Sequence, residues 1–151
     1  MNFYFLDSSS FIKLLLSEKG SSALRQTLHA VPESQQTLSV LARVEVNSAL
    51  ARKVREGEIT SDEAATYQNK FQSSCVDRIL WEIDEPVVNL AIDLLHRYAL
   101  RSLDALQLSA VLLFRRYLSP TDTLLFIASD ARLLAAATTE SLSVWDPSVV
   151  P

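Results

Sequence analysis

The stretch FYFLDSSSFIKLL, residues 3–15, predicts a strand, an acidic turn and a helix in direct succession. Residues 3–6 are aromatic or aliphatic, as in a buried strand, and the apolar residues that follow Ser10 have the spacing of a helix face. An open parallel sheet binds its ligands outside the carboxyl ends of its strands, which is where Asp7 stands. Asp7 is therefore the first candidate functional residue, although Asp and Ser are also preferred helix caps and capping alone would account for it.

The composition is that of an ordinary globular chain. It has 151 residues, of which 48% are hydrophobic and 21% charged, so the chain is long enough to bury a core and is not of the disordered type. No signal-type segment or long apolar run is present, and we expect a soluble, cytoplasmic protein that makes no membrane contact. The single cysteine, Cys75, excludes an internal disulfide, and the two histidines lie too far away in sequence to indicate a zinc cluster.

The net charge limits how the protein can bind nucleic acid. A net charge of −4 and a pI near 5.1 argue against a uniformly basic surface that coats nucleic acid. They do not argue against a nuclease, because a site that gathers carboxylates for metal ions contributes much of this net negative charge by itself.

The rest of the chain alternates between predicted strands and helices. This alternation predicts one α/β domain over residues 1–151 with a mainly parallel sheet. Strand patterns occupy 37–40, 78–83, 124–129 and 142–146, and helix patterns occupy 21–30, 41–57, 61–74, 85–100, 102–118 and 131–137.

Finer predictions concern single residues in these helices. Thr60, with Glu63 three residues on, is a capping-box pattern. One of the serines 21–22 is predicted to cap the second helix. The apolar periodicity places Leu95 and Leu103 on buried helix faces.

Four acids fall where strands and helices meet. Asp7 follows the first strand, Glu45 lies in the first turns of the helix after the second strand, Asp104 opens the helix before the fourth strand, and Asp130 follows that strand. All four can project toward one end of the sheet. Capping would explain each acid separately, and acids also follow the third strand, so position alone does not decide between capping and chemistry.

If the four carboxylates do meet, their chemistry is restricted. Like charges in a cleft of low dielectric repel, and a divalent cation or a raised pKa relieves the repulsion. A site of carboxylates without His or Cys suits a hard ion such as Mg²⁺ or Mn²⁺. Such ions hold phosphate oxygens, lower the pKa of a bound water and stabilise the leaving oxygen.

The chain resembles the PIN domain family, in particular the VapC-type ribonuclease toxins of bacterial toxin–antitoxin pairs. The resemblance covers nearly the whole chain in the right order and spacing. It implies a three-layer α/β/α fold with a mainly parallel five-stranded sheet in the order 3-2-1-4-5. The motifs that carry it are FLDSSSFIKLL, ARVEVNSALAR, LRSLDALQLSA and FIASDARLLAAA.

The resemblance also implies the roles of the four acids. Asp7, Glu45, Asp104 and Asp130 would form an acidic pocket for Mg²⁺ or Mn²⁺. Asp7 and Asp104 would be the most direct ligands, with Glu45 and Asp130 binding directly or through water. Ser9 matches a small polar position that supports the pocket, and it could equally be a helix cap.

One departure from the family pattern affects the fourth acid. Many relatives carry Thr or Ser two residues before it, whereas this chain has Ala128 there, with Ser129 beside it. The departure puts the support of Asp130 in question and leaves the other three acids unaffected.

The function implied by the resemblance is metal-dependent hydrolysis of RNA, leaving 5′-phosphate and 3′-hydroxyl ends. The resemblance further implies a homodimer and a cognate antitoxin whose tail lies across the acidic groove. A mean hydropathy of +0.14 is compatible with a buried partner surface. Arg43, Arg52 and Arg101 lie near the acidic motifs in sequence and are candidates for contacting RNA phosphates or an antitoxin carboxylate.

Three alternative functions fit the sequence less well. A catalytically silent PIN scaffold that binds RNA or protein would not need all four acids. A phosphoryl-transfer or receiver domain with Asp7 as its reactive group would want further residues that are missing, since Ser9 stands where a dehalogenase-type enzyme has a second Asp. A phosphate-binding loop is excluded because the only glycines, Gly20 and Gly57, stand in unsuitable contexts.

Overall fold

Five parallel strands form one sheet in the order 3-2-1-4-5 in the computed structural model. The order and the parallel pairing confirm the predicted sheet. The structure describes residues 1–149, so the last two residues of the predicted domain lie outside the described part. The strands are β1 (Asn2–Leu6), β2 (Gln36–Ser39), β3 (Ile79–Trp81), β4 (Thr123–Ile127) and β5 (Ser143–Trp145).

Seven helices in the described part cover the two faces of the sheet. Alternation along the central strands divides the core: Phe5 and Phe126 face one helix layer, and Leu6 and Ile127 face the other. Helices α1 to α4 pack on the Leu6 face, and α5 to α7 on the Phe5 face. The helices are α1 (Ser8–Leu15), α2 (Ser21–His29), α3 (Ala42–Arg55), α4 (Ser61–Ser74), α5 (Glu85–Arg97), α6 (Ser102–Arg116) and α7 (Ala131–Thr139).

Two cap predictions have opposite outcomes. The capping box is confirmed, because the Thr60 side chain accepts from the Glu63 amide and Glu63 accepts from the Thr60 amide. A serine cap on α2 is wrong: the N-cap is Gly20, at φ 89, and no side chain caps the helix. Ser21 Oγ instead donates to the Leu16 carbonyl at 2.9 Å and accepts from the Glu18 amide at 2.9 Å, which ties down the loop before α2.

Glycine is needed at position 20 for a tertiary reason as well. Its φ of 89° lies in the left-handed region, and a Cβ atom there would stand 2.3 Å from the Pro147 carbonyl oxygen. The turn before α2 therefore packs directly against the backbone that follows β5.

The outer side of α5 and α6 departs from the predicted burial. Leu95 is 39% exposed and Leu103 is 47% exposed, although both were predicted to face inward. Val88 and Ile92 share the exposed side of α5, and we call Val88, Ile92 and Leu95 the α5 stripe. Helical spacing predicts that these residues share a face but not whether anything covers it. Over residues 1–149, the helices lack the length and apolar character that crossing a membrane requires.

Candidate active site

Asp7 stands at the junction between β1 and α1. Its backbone N–H donates to the Ile127 carbonyl at 2.9 Å, which extends the pairing of β1 with β4. Its carboxylate caps α1, with Oδ2 accepting from the Ser9 amide at 3.2 Å and the Ser9 hydroxyl at 2.6 Å. Asp7 is only 7% exposed. The Asp7 side chain therefore both caps α1 and lies buried at the end of the central strand, and Ser9 donates two hydrogen bonds to it.

The surroundings of Asp7 disfavour its charged form. The pKa of Asp7 is raised to about 6, mainly by burial and to a smaller extent by the nearby charge of Glu45, while the two hydrogen bonds from Ser9 partly oppose the rise. A carboxylate in this situation gains from a neighbouring positive charge. This supports the fit of a cation to the site.

Glu45 projects from the first turn of α3 toward Asp7. Its Oε2 atom accepts from the Ser8 hydroxyl at 2.5 Å and from the Gln107 amide nitrogen at 2.9 Å. Gln107 also donates to the Ser8 hydroxyl at 3.2 Å. Donors on α1 and α6 therefore hold one carboxylate oxygen of Glu45, which itself belongs to α3.

Asp104 and Asp130 form the second acidic pair. Burial and the charge of Asp130 raise the pKa of Asp104, and the nearby Arg101 opposes that rise. Asp130 caps α7 as predicted, with Oδ1 accepting from the Leu133 amide at 2.9 Å. Ala128 is fully buried, and the capping bond gives Asp130 a partner that does not depend on the residue at position 128.

The structure brings the four acids together as two pairs rather than as one closed cluster. Asp7 neighbours Glu45, and Asp104 neighbours Asp130. Gln107 connects the pairs because it lies one turn after Asp104 on α6 and bonds to Glu45. Within residues 1–149, no three side chains of Asp, Glu, His or Cys gather tightly enough to hold one metal ion. Binding of metal by these four residues therefore stays a prediction.

The donor chemistry nonetheless fits a hard divalent cation. The four carboxylates offer only oxygen ligands, which are the usual protein ligands of hard divalent cations. The amide oxygen of Gln107, whose Nε2 bonds to Glu45, is buried and has no hydrogen-bond partner in the described part of the chain.

Sequence reasoning missed Ser8 and Gln107. Ser8 bonds to a residue 37 positions away in the chain, and Gln107 contacts residues 62 and 99 positions away. A usable signal existed, because Gln107 is a polar residue whose neighbours on the same helix face, three and four positions on, are the apolar and buried Ala110 and Val111.

The three candidate arginines are exposed and differ in their relation to the acids. Arg101 is the N-cap residue of α6, and its charge acts on Asp104. Arg43 lines a groove beside the start of α3. Arg52 lies in the last turn of α3, seven positions after Glu45. Of the three, Arg101 is the one that the structure relates to an acid of the site.

Comparison with known proteins agrees with this fold. The model of the PIN domain matches residues 4–115, and the chain belongs to the PIN domain family. Ribonuclease VapC47 of Mycobacterium tuberculosis (strain CDC 1551 / Oshkosh) is 29% identical over 148 residues, covering 97% of this chain and 98% of the relative.

Solved structures similar to this chain include toxin–antitoxin proteins. FitAcB from Neisseria gonorrhoeae has a TM-score of 0.69 at 16% identity, covering 98% of this chain and all of its own. A toxin–antitoxin complex from Klebsiella pneumoniae has a TM-score of 0.67 at 16% identity, with 97% and 99% covered. The sarcin-ricin loop cleaving toxin VapC20 of Mycobacterium tuberculosis has a TM-score of 0.63 at 16% identity, with 88% and 94% covered. At these identities the likeness concerns the fold.

Proposed function

We propose that this chain is a Mg²⁺- or Mn²⁺-dependent endoribonuclease, the toxin of a type II toxin–antitoxin pair acting in the cytoplasm. The observation that carries the proposal is the pairing of buried Asp7 with Glu45, beside Asp104 and Asp130, at the carboxyl ends of the central strands. Membership of the PIN domain family and the similarity to Ribonuclease VapC47 support a ribonuclease function.

The proposed metal ligands follow from this arrangement. Asp7 and Asp104 would bind Mg²⁺ or Mn²⁺ directly, and Glu45 and Asp130 directly or through water. A divalent cation supplies charge neutralisation for the carboxylates and the phosphate, and it lowers the pKa of water for attack on the phosphodiester. The product ends would be a 5′-phosphate and a 3′-hydroxyl.

The chain's own residues prepare the site for this chemistry. Ser9 holds one oxygen of Asp7, and Ser8 with Gln107 holds one oxygen of Glu45. These donors orient the carboxylates before a substrate arrives, which reduces the reorganisation that the reaction requires. Arg101 is exposed beside Asp104 and would contact a phosphate of the RNA backbone.

An antitoxin would be the protein partner. The Klebsiella pneumoniae structure, which has a similar fold, is a toxin–antitoxin complex. A groove of about 650 Å³ lies beside the start of α3, where Glu45 stands, and its rim includes Val44 and Val76, 70% and 78% exposed. Exposed apolar residues along a groove are typical of protein-binding surfaces. Arg43 at the same groove would pair with an acidic group of the antitoxin.

A second copy of the chain would cover the α5 stripe. Glu85 lies in the first turn of α5 and Arg97 in its last turn. Two copies of α5 packed antiparallel about a two-fold axis would bring the acidic end of each helix toward the basic end of the other. Sedimentation should therefore give a dimer for the native chain and a monomer for Ile92→Glu. A native monomer would contradict this part of the proposal.

The experiment that tests the proposal is cleavage of a mixed cellular RNA pool by purified, antitoxin-free protein. Reactions contain Mg²⁺, Mn²⁺ or EDTA, and Asp7→Asn is compared with Asp62→Asn, which changes an exposed acid in the first turn of α4. We expect metal-dependent cleavage that EDTA and Asp7→Asn abolish and that Asp62→Asn leaves intact. Cleavage of equal rate in EDTA would contradict metal dependence, and normal turnover by Asp7→Asn would contradict the site.

One observation favours the alternative of a silent PIN scaffold that binds RNA or protein. In the described residues the four acids form two pairs and no group of three suited to one ion. A scaffold of this kind would bind RNA in a filter assay yet leave it uncut with every metal. The same reactions therefore separate the two functions.

A further inference from the structure

Gln107 is a polar side chain in a buried stretch of α6. It is 1% exposed, and α6 around it is buried over residues 107–112. Burial of an amide is unfavourable unless hydrogen bonds replace those lost to water. The partners of this side chain therefore indicate why a glutamine stands there.

The amide group of Gln107 is directed at a single carboxylate oxygen. Its Nε2 atom donates hydrogen bonds to Glu45 Oε2 at 2.9 Å and to Ser8 Oγ at 3.2 Å. The Ser8 hydroxyl donates a hydrogen bond to the same Glu45 oxygen at 2.5 Å. The orientation of the amide follows from chemistry, because a carboxylate only accepts hydrogen bonds and the NH₂ group must face it. Glu45 Oε2 is thus fully engaged.

The other end of the amide has no partner. Gln107 Oε1 is buried and accepts no hydrogen bond from any residue of 1–149. Gln36, the other buried glutamine, is 2% exposed, and both the nitrogen and the oxygen of its side-chain amide form hydrogen bonds. Its Nε2 donates to the Val31 carbonyl at 3.0 Å, and its Oε1 accepts from Arg78 Nε at 3.0 Å. Gln36 has the pairing expected of a structural residue, and Gln107 does not.

We propose that Gln107 is a positioning residue of the acidic site. Together with Ser8 it holds Oε2 of Glu45, so that the other oxygen of Glu45 is presented to a divalent cation, and its own free Oε1 accepts hydrogen bonds from the hydration shell of that cation. Because Asp104 lies one turn before Gln107 on α6, the same helix fixes the spacing between the two acidic pairs. This inference rests on the proposed metal-dependent function.

The test is calorimetric titration of the purified full chain with Mn²⁺, combined with the melting temperature in EDTA. The variants are Gln107→Leu and, as the matched control, Gln36→Leu. Outer-shell partners of metal ligands typically contribute ten- to a hundredfold in affinity. We expect Gln107→Leu to weaken Mn²⁺ binding about tenfold or more, with little change in melting temperature. Gln36→Leu should lower the melting temperature and leave Mn²⁺ affinity unchanged.

Two outcomes of the main comparison would overturn the inference. One is a Gln107→Leu protein that binds Mn²⁺ as tightly as the wild type. The other is a Gln107→Leu protein that behaves like Gln36→Leu, with lower stability and unchanged affinity. A wild-type chain that binds neither Mn²⁺ nor Mg²⁺ would overturn the metal-dependent function itself, so the two failures are distinguishable.

A smaller substitution keeps the test valid if Gln107→Leu fails to fold. Ser8→Ala removes the other donor to Glu45 Oε2, and we expect a several-fold weaker Mn²⁺ affinity, so unchanged affinity would count against the inference. In a Glu45→Gln background, adding Ser8→Ala should cause no further loss of affinity. A further loss of similar size there would show that Ser8 does not act through Glu45.

Discussion

The two acidic pairs differ in how far each is removed from water. Asp7 is 7% exposed and lies against Glu45, and three side chains, Ser8, Ser9 and Gln107, donate hydrogen bonds to this pair. Asp104 and Asp130 are half-buried. Each stands in or beside the first turn of a helix, and Asp130 is held by a single capping bond. Desolvation, and the donors that offset it, are therefore concentrated in the first pair.

This difference in burial should affect the stability of the metal-free protein and the binding of metal differently. The first pair should dominate the stability of the metal-free protein, because an ionised carboxylate is disfavoured most where water is excluded. The second pair, which solvent screens, should influence stability less while contributing equally to metal binding. The following predictions test whether the pairs differ in this way.

The largest effect is expected on cleavage, where the pairs should act together. Asp104→Asn removes a proposed direct metal ligand. Because the transition state would lose several kcal/mol of metal-dependent stabilisation, the cleavage rate should fall by about a hundredfold or more. The rate is measured in Mn²⁺ with the RNA that the wild type cleaves. Melting in EDTA serves as the control and should change little. A variant that keeps more than about half of the rate would show that Asp7 and Glu45 suffice without the second pair.

A smaller effect, on stability, should distinguish the first pair. The pKa of Asp7 is raised from 3.8 to about 6 in the folded chain, so folding favours its protonated form. The resulting loss of stability is absent below pH 4, grows as the pH rises through 4–6, and is complete above 6. It amounts to about 1–3 kcal/mol. Asp7→Asn retains an N-cap and should stabilise the metal-free protein at pH 7 by up to that amount.

Urea unfolding in EDTA at pH 4 and pH 7 measures this effect. The wild type should lose stability between the two pH values by more than Asp7→Asn does. Asp104→Asn, in the pair that solvent screens, should reduce the pH dependence in the same direction but by less than Asp7→Asn does. A clearly lower melting temperature for metal-free Asp7→Asn at pH 7 would refute the account of the first pair.

Ser9→Ala should have an effect of about 1 kcal/mol, the usual contribution of one hydrogen bond. The Ser9 hydroxyl donates to Asp7 at 2.6 Å and stabilises the ionised form. Its removal should raise the pKa of Asp7 further and destabilise metal-free protein above pH 6, with a smaller effect at pH 4. An NMR titration of the Asp7 carboxyl group checks the pKa. An unchanged or lower pKa in the variant would contradict the role given to Ser9.

The smallest effect on the site should come from Thr60→Ala. The capping box at the start of α4 contacts neither acidic pair. Losing it should lower stability by about 1 kcal/mol and leave the cleavage rate per folded molecule unchanged. A substantial loss of rate at full folding would show that stability of α4 controls the site, and the contrast between the pairs would then need revision.

Local sequence signals predicted the fold because they agreed with one another along the chain. Each of the first four strand patterns was followed by a helix pattern, and the parallel sheet follows from that alternation. The strand order came from the resemblance to the PIN family, and the pairing of β1 with both β2 and β4 confirms it. Burial of helix faces was less predictable: Leu103 has the spacing of a core residue, yet it lies on the outer side of α6.

The site was predictable only in part. The four acids stand at junctions that a sequence can indicate, and the resemblance assigned them a common role. Ser8 and Gln107 were not found because their partner, Glu45, lies 37 and 62 positions away, and local patterns carry no information about such contacts. Ser21 failed as a cap for a similar reason, since the turn before α2 is shaped by its packing against Pro147.

The measurement that most directly tests the central claim is the anomalous scattering of Mn²⁺ in crystals grown with the ion. We expect a peak between the two acidic pairs, within coordination distance of Asp7 and Asp104, that is lost in Asp7→Asn. No peak at this position in crystals that hold Mn²⁺ elsewhere, or a peak that contacts none of the four acids, would contradict the claim that the two pairs form one metal site.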